Sequence, residues 1–209
     1  MIRQLALAAA LAALSLPATA ATIENGSFED LGGQTIIGSW EIFAGVPGWT
    51  GNPNIEIQTD ATISAVDAQD GDNYAELDTN TNSTITQDVY FDVGLYELVF
   101  FYSPRVNIVP TSTNDLSFGL SSVFADSILG APNSVAPWGE WTEVTTEFLV
   151  SSAGTYSLFF SAIGEQNTAG CGDCGALIDN ISVAAIPLPA GLVLLLTGLA
   201  ALLGFRRRA

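Results

Sequence analysis

Gly94-Leu95-Tyr96-Glu97-Leu98-Val99-Phe100-Phe101-Tyr102 places Tyr96, Leu98, Phe100 and Tyr102 on one face at a period of two. That is the repeat of a strand with one side buried. Ser83–Phe91 does the same with Ile85, Val89 and Phe91, and Thr155–Ala162 with Tyr156, Leu158, Phe160 and Ala162. Shorter runs of this kind lie at Ile23–Phe28, Trp40–Phe43, Ile55–Ile57, Asn73–Leu77, Leu116–Leu120, Trp141–Val150 and Ala176–Ala184. Turn clusters punctuate them: Gly51-Asn52-Pro53-Asn54, Asp70-Gly71-Asp72 and Ala153-Gly154. Between the two ends of the chain no helical periodicity competes. Many short strands at this spacing predict an all-β fold, an antiparallel β-sandwich or jelly roll.

Both ends read as targeting segments. Arg3, the apolar run Leu5–Leu16 and the small residues Ala18 and Ala20 form the three parts of a secretory signal peptide, with cleavage expected after Ala20. At the other end, Ile186-Pro187-Leu188-Pro189-Ala190 leads into an apolar stretch to Phe205 and then Arg206, Arg207 and Arg208. As a helix of roughly 30 Å, Ile186–Phe205 matches the hydrocarbon core of a bilayer. The three arginines hold their end in the cytoplasm and the preceding domain outside it. The expected organisation is a signal peptide at 1–20, an extracytoplasmic β-sandwich at 21–185 and a sorting tail with a transmembrane helix at 186–209.

The order Pro187-Leu188-Pro189-Ala190, apolar helix, terminal Arg cluster resembles the PEP-CTERM sorting signal in its Val-Pro-Leu-Pro-Ala variant, with Ile186 in place of Val. The resemblance implies an exosortase as partner, a membrane transpeptidase of Gram-negative bacteria that cuts near Pro189. The domain would then pass from the inner membrane to the cell surface or extracellular matrix. A permanent single-pass anchor is the alternative, since the physics of spanning is the same.

Charge excludes several function classes. The chain holds 22 Asp and Glu against 5 Lys and Arg, with no His. All the acids fall between Glu24 and Asp179, where Arg105 is the single basic residue. Such a domain repels nucleic acid and anionic lipid surfaces. Without His it cannot run Ser-His-Asp or Cys-His catalysis. A carboxylate pair for glycoside hydrolysis stays open, and requires two carboxyls facing each other across a cleft. Cys171 and Cys174, the only cysteines, read in an exported protein as a small loop-closing disulfide.

A second resemblance covers most of residues 23–184. Asn25-Gly26-Ser27-Phe28-Glu29, Pro47-Gly48-Trp49, Asp70-Gly71-Asp72-Asn73-Tyr74, Ile85-Thr86-Gln87 and Ala176-Leu177-Ile178-Asp179-Asn180-Ile181 look like the galactose-binding-like jelly rolls. That superfamily includes carbohydrate-binding modules, often with a structural Ca²⁺ joining the first and last strands. Fold alone names no ligand. Trp138, Trp49, Trp141 and Tyr102 are the candidate sugar platforms, because a flat ring stacks on the apolar face of a pyranose; core packing is the competing role of each. Trp138 lies in a loop, Pro137-Trp138-Gly139. The acidic stretch Asp67, Asp70, Asp72, Glu76 and Asp78 lacks EF-hand spacing.

Strand alternation sets Asp179 beside Leu177, Ile181 and Val183 on the apolar face, where an ionised carboxylate needs a partner. Ca²⁺ held by Asn25, Glu29 and Asp179 is one solution; backbone N–H groups at a bulge are the other. The expectation is a non-catalytic exported protein that binds envelope or extracellular polysaccharide, with a purely structural acidic matrix protein as the alternative and a glycoside hydrolase behind both.

Overall fold

The computed structural model describes residues 21–60, 62–63, 66–105, 111–129, 139–164 and 175–187. The signal peptide, Trp138, Cys171, Cys174 and the tail from Leu188 onward, including Pro189, Ala190 and Arg206–Arg208, lie outside them. Among the described residues no helix is long and apolar enough to cross a membrane.

The described chain is all-β and antiparallel, as the period-two runs predict. Ten strands form: β1 (Trp40–Val46), β2 (Trp49–Thr59), β3 (Asn73–Glu76), β4 (Thr84–Phe91), β5 (Gly94–Pro104), β6 (Leu116–Leu120), β7 (Phe124–Ile128), β8 (Thr142–Val150), β9 (Gly154–Ala162) and β10 (Ala176–Ala185). Their order is β7-β6-β9-β4-β2-β3-β10-β5-β8, with β1 beside β2.

β2 belongs to both halves of this order. Thr50, Gly51 and Asn52 pair with β4, whereas Glu56, Ile57, Gln58 and Thr59 pair with β3. The Gly51-Asn52-Pro53-Asn54 cluster, expected to be a turn between strands, is instead the bend inside one strand. Gly51 is required there, because a Cβ would stand 2.1 Å from the Asn54 carbonyl carbon. The bend folds one continuous ladder into two layers, β7-β6-β9-β4 and β3-β10-β5-β8.

The core lies between the layers. Tyr96, Leu98, Phe100 and Tyr102 from β5 meet Ile85, Val89 and Phe91 from β4 and Leu158 and Phe160 from β9. Edge-to-face ring pairs such as Phe91–Tyr96, with centroids 5.0 Å apart at 89°, and Phe100–Phe160 at 5.0 Å and 74° lock the two sheets.

Two further sequence expectations are corrected. Ile23–Phe28 is not a strand: Asn25 and Phe28 take positive φ values of 52° and 59°, and the segment turns through a Phe28 N–H to Asn25 C=O bond. It nevertheless lies beside the last strand, where the Ile181 N–H donates to the Gly26 carbonyl at 2.9 Å. In β10 the register against β5 shifts between Asp179 and Ser182, at Asn180 with φ 49°. The bulge reverses the alternation. Ile178 and then Ile181 and Val183 enter the core, while Leu177 joins a small outer cluster with Ile63, Val66 and Tyr74. Asp179, two residues on from Leu177, is therefore on the outer face and not the core face.

Candidate functional site

The outer face of β3-β10-β5-β8 carries the chain's distinctive polar chemistry. At one end it is covered by the segment between β2 and β3, whose Ile63 and Val66 pack on Tyr74 and Leu177. Asp179 is fully buried under this cover. Its Oδ2 accepts the N–H groups of Gln69 at 2.8 Å and Asp70 at 2.9 Å, and its Oδ1 that of Asn180 at 2.6 Å. Glu29 holds the same loop from its other end, Oε1 accepting from Asp72 at 2.9 Å and Asn73 at 2.8 Å. Between these anchors Gly71, at φ +79°, leaves no room for a side chain: a Cβ would stand 2.4 Å from Glu29 Oε1.

Asn25, Glu29 and Asp179, the candidate calcium ligands, are each engaged by hydrogen bonds within the protein. Asn25 Oδ1 accepts the Asp30 N–H at 2.9 Å and its amide donates to the carbonyls of Asp30 and Pro47. Among the described residues no three acidic side chains stand together so as to hold a metal. Three backbone donors offset part of the cost of burying Asp179. If the backbone donors suffice, thermal melts are expected to be indifferent to chelator; a melting temperature raised by Ca²⁺ and lowered by EDTA would show that an ion is held there.

Further along, Glu56 on β2 and Glu76 on β3 are directly opposite and both buried. Gln58 donates from Nε2 to Glu56 Oε1 at 2.9 Å and also to Glu76. Arg105, on the chain leaving β5, donates to Glu76 Oε1 at 2.6 Å and bridges to Oε2, and the Gly175 N–H reaches Oε1 at 2.7 Å. One guanidinium balances one carboxylate. Burial first, and then Glu56, push Glu76 up to about 8 against the pull of Arg105. Burial likewise carries Asp179 up to about 7 despite its N–H partners. The Glu56–Glu76 pair has the facing arrangement a hydrolase needs, but both carboxyls are closed off and held by Gln58 and Arg105.

The four aromatic candidates separate. Trp49 is 2% exposed, its Nε1–H donating to the Asn25 carbonyl at 3.0 Å and its ring against Phe28 and Phe160. Tyr102 is 0% exposed, its hydroxyl donating to the Asn114 carbonyl at 2.9 Å. Both are core residues, because their strand positions face inward, and neither can stack on a sugar at the surface. Trp138 lies outside the described residues. Trp141 alone of the four is described and half-buried. Its Nε1–H donates to the Asp67 carbonyl at 2.7 Å and its ring meets Tyr74 edge-on, with centroids 5.8 Å apart at 77°.

Trp141 immediately precedes β8, in phase with Glu143, Thr145 and Glu147 on the outer face. Beside it the sheet is open. Phe101, Val99, Glu97 and Leu95 alternate along β5 as half-buried residues, opposite Glu143, Thr145, Glu147 and Leu149, all exposed. On the other side of β5, β10 contributes only the small exposed residues Ser182 and Ala184 to this surface.

No protein-family model matches the chain, and no curated protein matches it by sequence. The solved structures it is similar to include several carbohydrate-binding modules and a mosquito-larvicidal Cry4Aa toxin from Bacillus thuringiensis. TmCBM61, solved in complex with β-1,4-galactotriose, aligns with a TM-score of 0.47 at 14% identity, covering 78% of this chain and 97% of that one. The CBM22-1 xylan-binding domain of Paenibacillus barcinonensis Xyn10C gives 0.43 at 10%, covering 74% and 100%. A family 35 module from Clostridium thermocellum gives 0.41 at 15%, covering 71% and 100%. At these scores the likeness says nothing of a ligand.

Sequence reasoning missed the Glu56–Gln58–Glu76–Arg105 cluster. The signal was present: a single basic residue among 22 acids is placed most economically where a carboxylate is buried.

Proposed function

We propose that this chain is an exported, non-catalytic protein that binds envelope or extracellular polysaccharide on the outer face of β10-β5-β8. The observation that carries the reading is Trp141. Its indole is fixed by one hydrogen bond and one ring contact at the head of an open sheet face. A rigid, half-exposed aromatic beside hydroxyl and carboxylate acceptors is the arrangement that stacks on a sugar ring and receives its hydroxyl protons. A matrix protein acting by acidity alone would need no such platform.

Trp141→Ala is expected to weaken binding to the best glycan from an array screen by about 1–3 kcal/mol, the range for loss of aromatic stacking. Calorimetry measures it and a thermal melt of the same variant checks the fold. Unchanged affinity in a folded variant would remove Trp141 from the site.

Export and sorting belong to the same proposal and rest on the sequence of the two ends. If an exosortase-like enzyme cuts near Pro189, protein isolated from its host lacks Gly191–Ala209. Intact mass reads this directly, and a retained Arg206-Arg207-Arg208 would leave a permanent anchor.

A further inference from the structure

At one end of the sandwich two turns join the layers and the last strand leaves. The β4–β5 turn holds Asp92 and Val93, and the β8–β9 turn holds Ser151, Ser152 and Ala153. Just past β10, the Ile186 N–H donates to the Leu95 carbonyl at 2.8 Å. Three large apolar side chains are exposed here: Tyr90 at 58%, Val93 at 60% and Leu149 at 63%. Tyr90 stands on the outer face of β4, Leu149 on the outer face of β8 and Val93 in the turn between them. Core tyrosines tie both turns down. The Tyr96 hydroxyl donates to the Asp92 carbonyl at 3.1 Å and the Tyr156 hydroxyl to the Ser152 carbonyl at 2.7 Å.

Charge is thin at this end. Residues 90–95, 149–154 and 185–187 hold one acid, Asp92, in a chain with 22 Asp and Glu, and its Oδ1 accepts the Tyr90 hydroxyl at 3.4 Å. Asp88, Glu97 and Glu147, the next acids along β4, β5 and β8, lie two positions back from Tyr90, Leu95 and Leu149. That is about 7 Å along each strand. Apolar side chains bared where an acidic domain carries least charge mark a contact surface.

We propose that this end of the domain rests on the bilayer that the chain's own tail enters. The proposal depends on the membrane-spanning reading of the tail and adds a second contact to it. Only the five residues Ile186–Ala190 separate β10 from the apolar run that begins at Gly191. Fully extended they reach roughly 17 Å, and less as a helix. A spanning tail therefore brings this end, and not the opposite one, to the headgroup layer. Tyr90 suits that depth, with its ring toward the acyl chains and its hydroxyl in the polar layer. Val93 and Leu149 lose their water there. The acids on the remaining surface are repelled by anionic lipid, which favours the same orientation.

The test places full-length, isotope-labelled protein in phosphatidylcholine nanodiscs, one copy per disc, with a nitroxide on the lipid headgroups, and reads the relaxation of backbone amides. Strong enhancement is expected at Val93, Gly94, Leu149 and Ser152, and none at Tyr102, Thr142 and Ser161, which lie at the other end of the same strands. Val93→Ser combined with Leu149→Ser should remove most of that enhancement and leave the melting temperature in place, because both side chains are exposed. Enhancement spread evenly over the domain, absent from it, or unchanged in the double variant would overturn the docking and leave the anchor standing. Enhancement that appears only with two copies per disc would overturn it in favour of contact between copies. A chain that the discs do not retain would remove the spanning tail and the docking together.

Discussion

Arg105→Met is expected to destabilise the domain by about 3–5 kcal/mol at pH 10, where the wild-type Glu76, at about 8, is ionised, the usual cost of leaving a buried charge without its partner. For a domain of this size that is a fall in melting temperature of roughly 6–20 °C. Glu76 is fully buried and directly opposite buried Glu56, and Arg105 is the cation that bridges both oxygens of Glu76. The loss should shrink at pH 5, where Glu76 takes a proton and needs no partner. Adding Glu76→Gln to Arg105→Met should return much of the stability, because an amide satisfies the Gly175 N–H without a charge. A single variant that melts with the wild type at pH 10 would show that the ion pair carries no net stability.

The second large effect is a stability that declines as pH rises. In the folded chain Glu76 is pushed from 4.5 up to about 8, mainly by burial, and Asp179 from 3.8 up to about 7, again mainly by burial. Both folded values exceed the unfolded ones, so the folded state holds protons that the unfolded chain has released. Their contribution is fully present below about pH 4 and is lost as pH climbs through 7 and 8. At about 1.4 kcal/mol per unit the two groups set an upper limit on the order of 5 kcal/mol each. Melting temperature should therefore fall by roughly 10 °C or more between pH 5 and 8.5. Glu76→Gln and Asp179→Asn should each flatten the slope. A melting temperature that climbs over this interval would contradict the burial of both carboxyls in their charge-disfavouring surroundings.

The sandwich was legible wherever one strand face is buried and the other wet. β4, β5 and β9 show it plainly: Ile85, Val89 and Phe91, then Tyr96 to Tyr102, then Leu158 and Phe160 all face the core. β7 was not, because Phe124-Ala125-Asp126-Ser127-Ile128 is an exposed strand at the sheet's edge, with three exposed residues between its half-buried ends. Alternation also breaks where the backbone departs from a regular strand. At Asn180 a bulge with φ 49° moves Asp179 to the opposite face from Ile181, and composition gives no sign of it.

The site was less legible for a related reason. Trp49 and Trp141 both precede or begin strands and look alike in the sequence; one sits between the layers and the other outside them. Strand phase alone separates Tyr102, inward with Phe100, from Phe101, outward beside Glu143. Asp179 was correctly singled out as a buried carboxylate, yet its partners come from Gln69 and Asp70, more than 100 positions away in the chain.

Polysaccharide binding on the face beside Trp141 is tested most directly by titrating isotope-labelled protein with the best glycan from the array screen and following amide and indole N–H resonances. The expected result is a set of shifts centred on the Trp141 indole, Phe101, Glu143, Thr145 and Ser182, with the inward-facing partners of the same strands, such as Leu98 and Phe100, unmoved. Shifts confined to another surface, or none at saturating ligand, would contradict it.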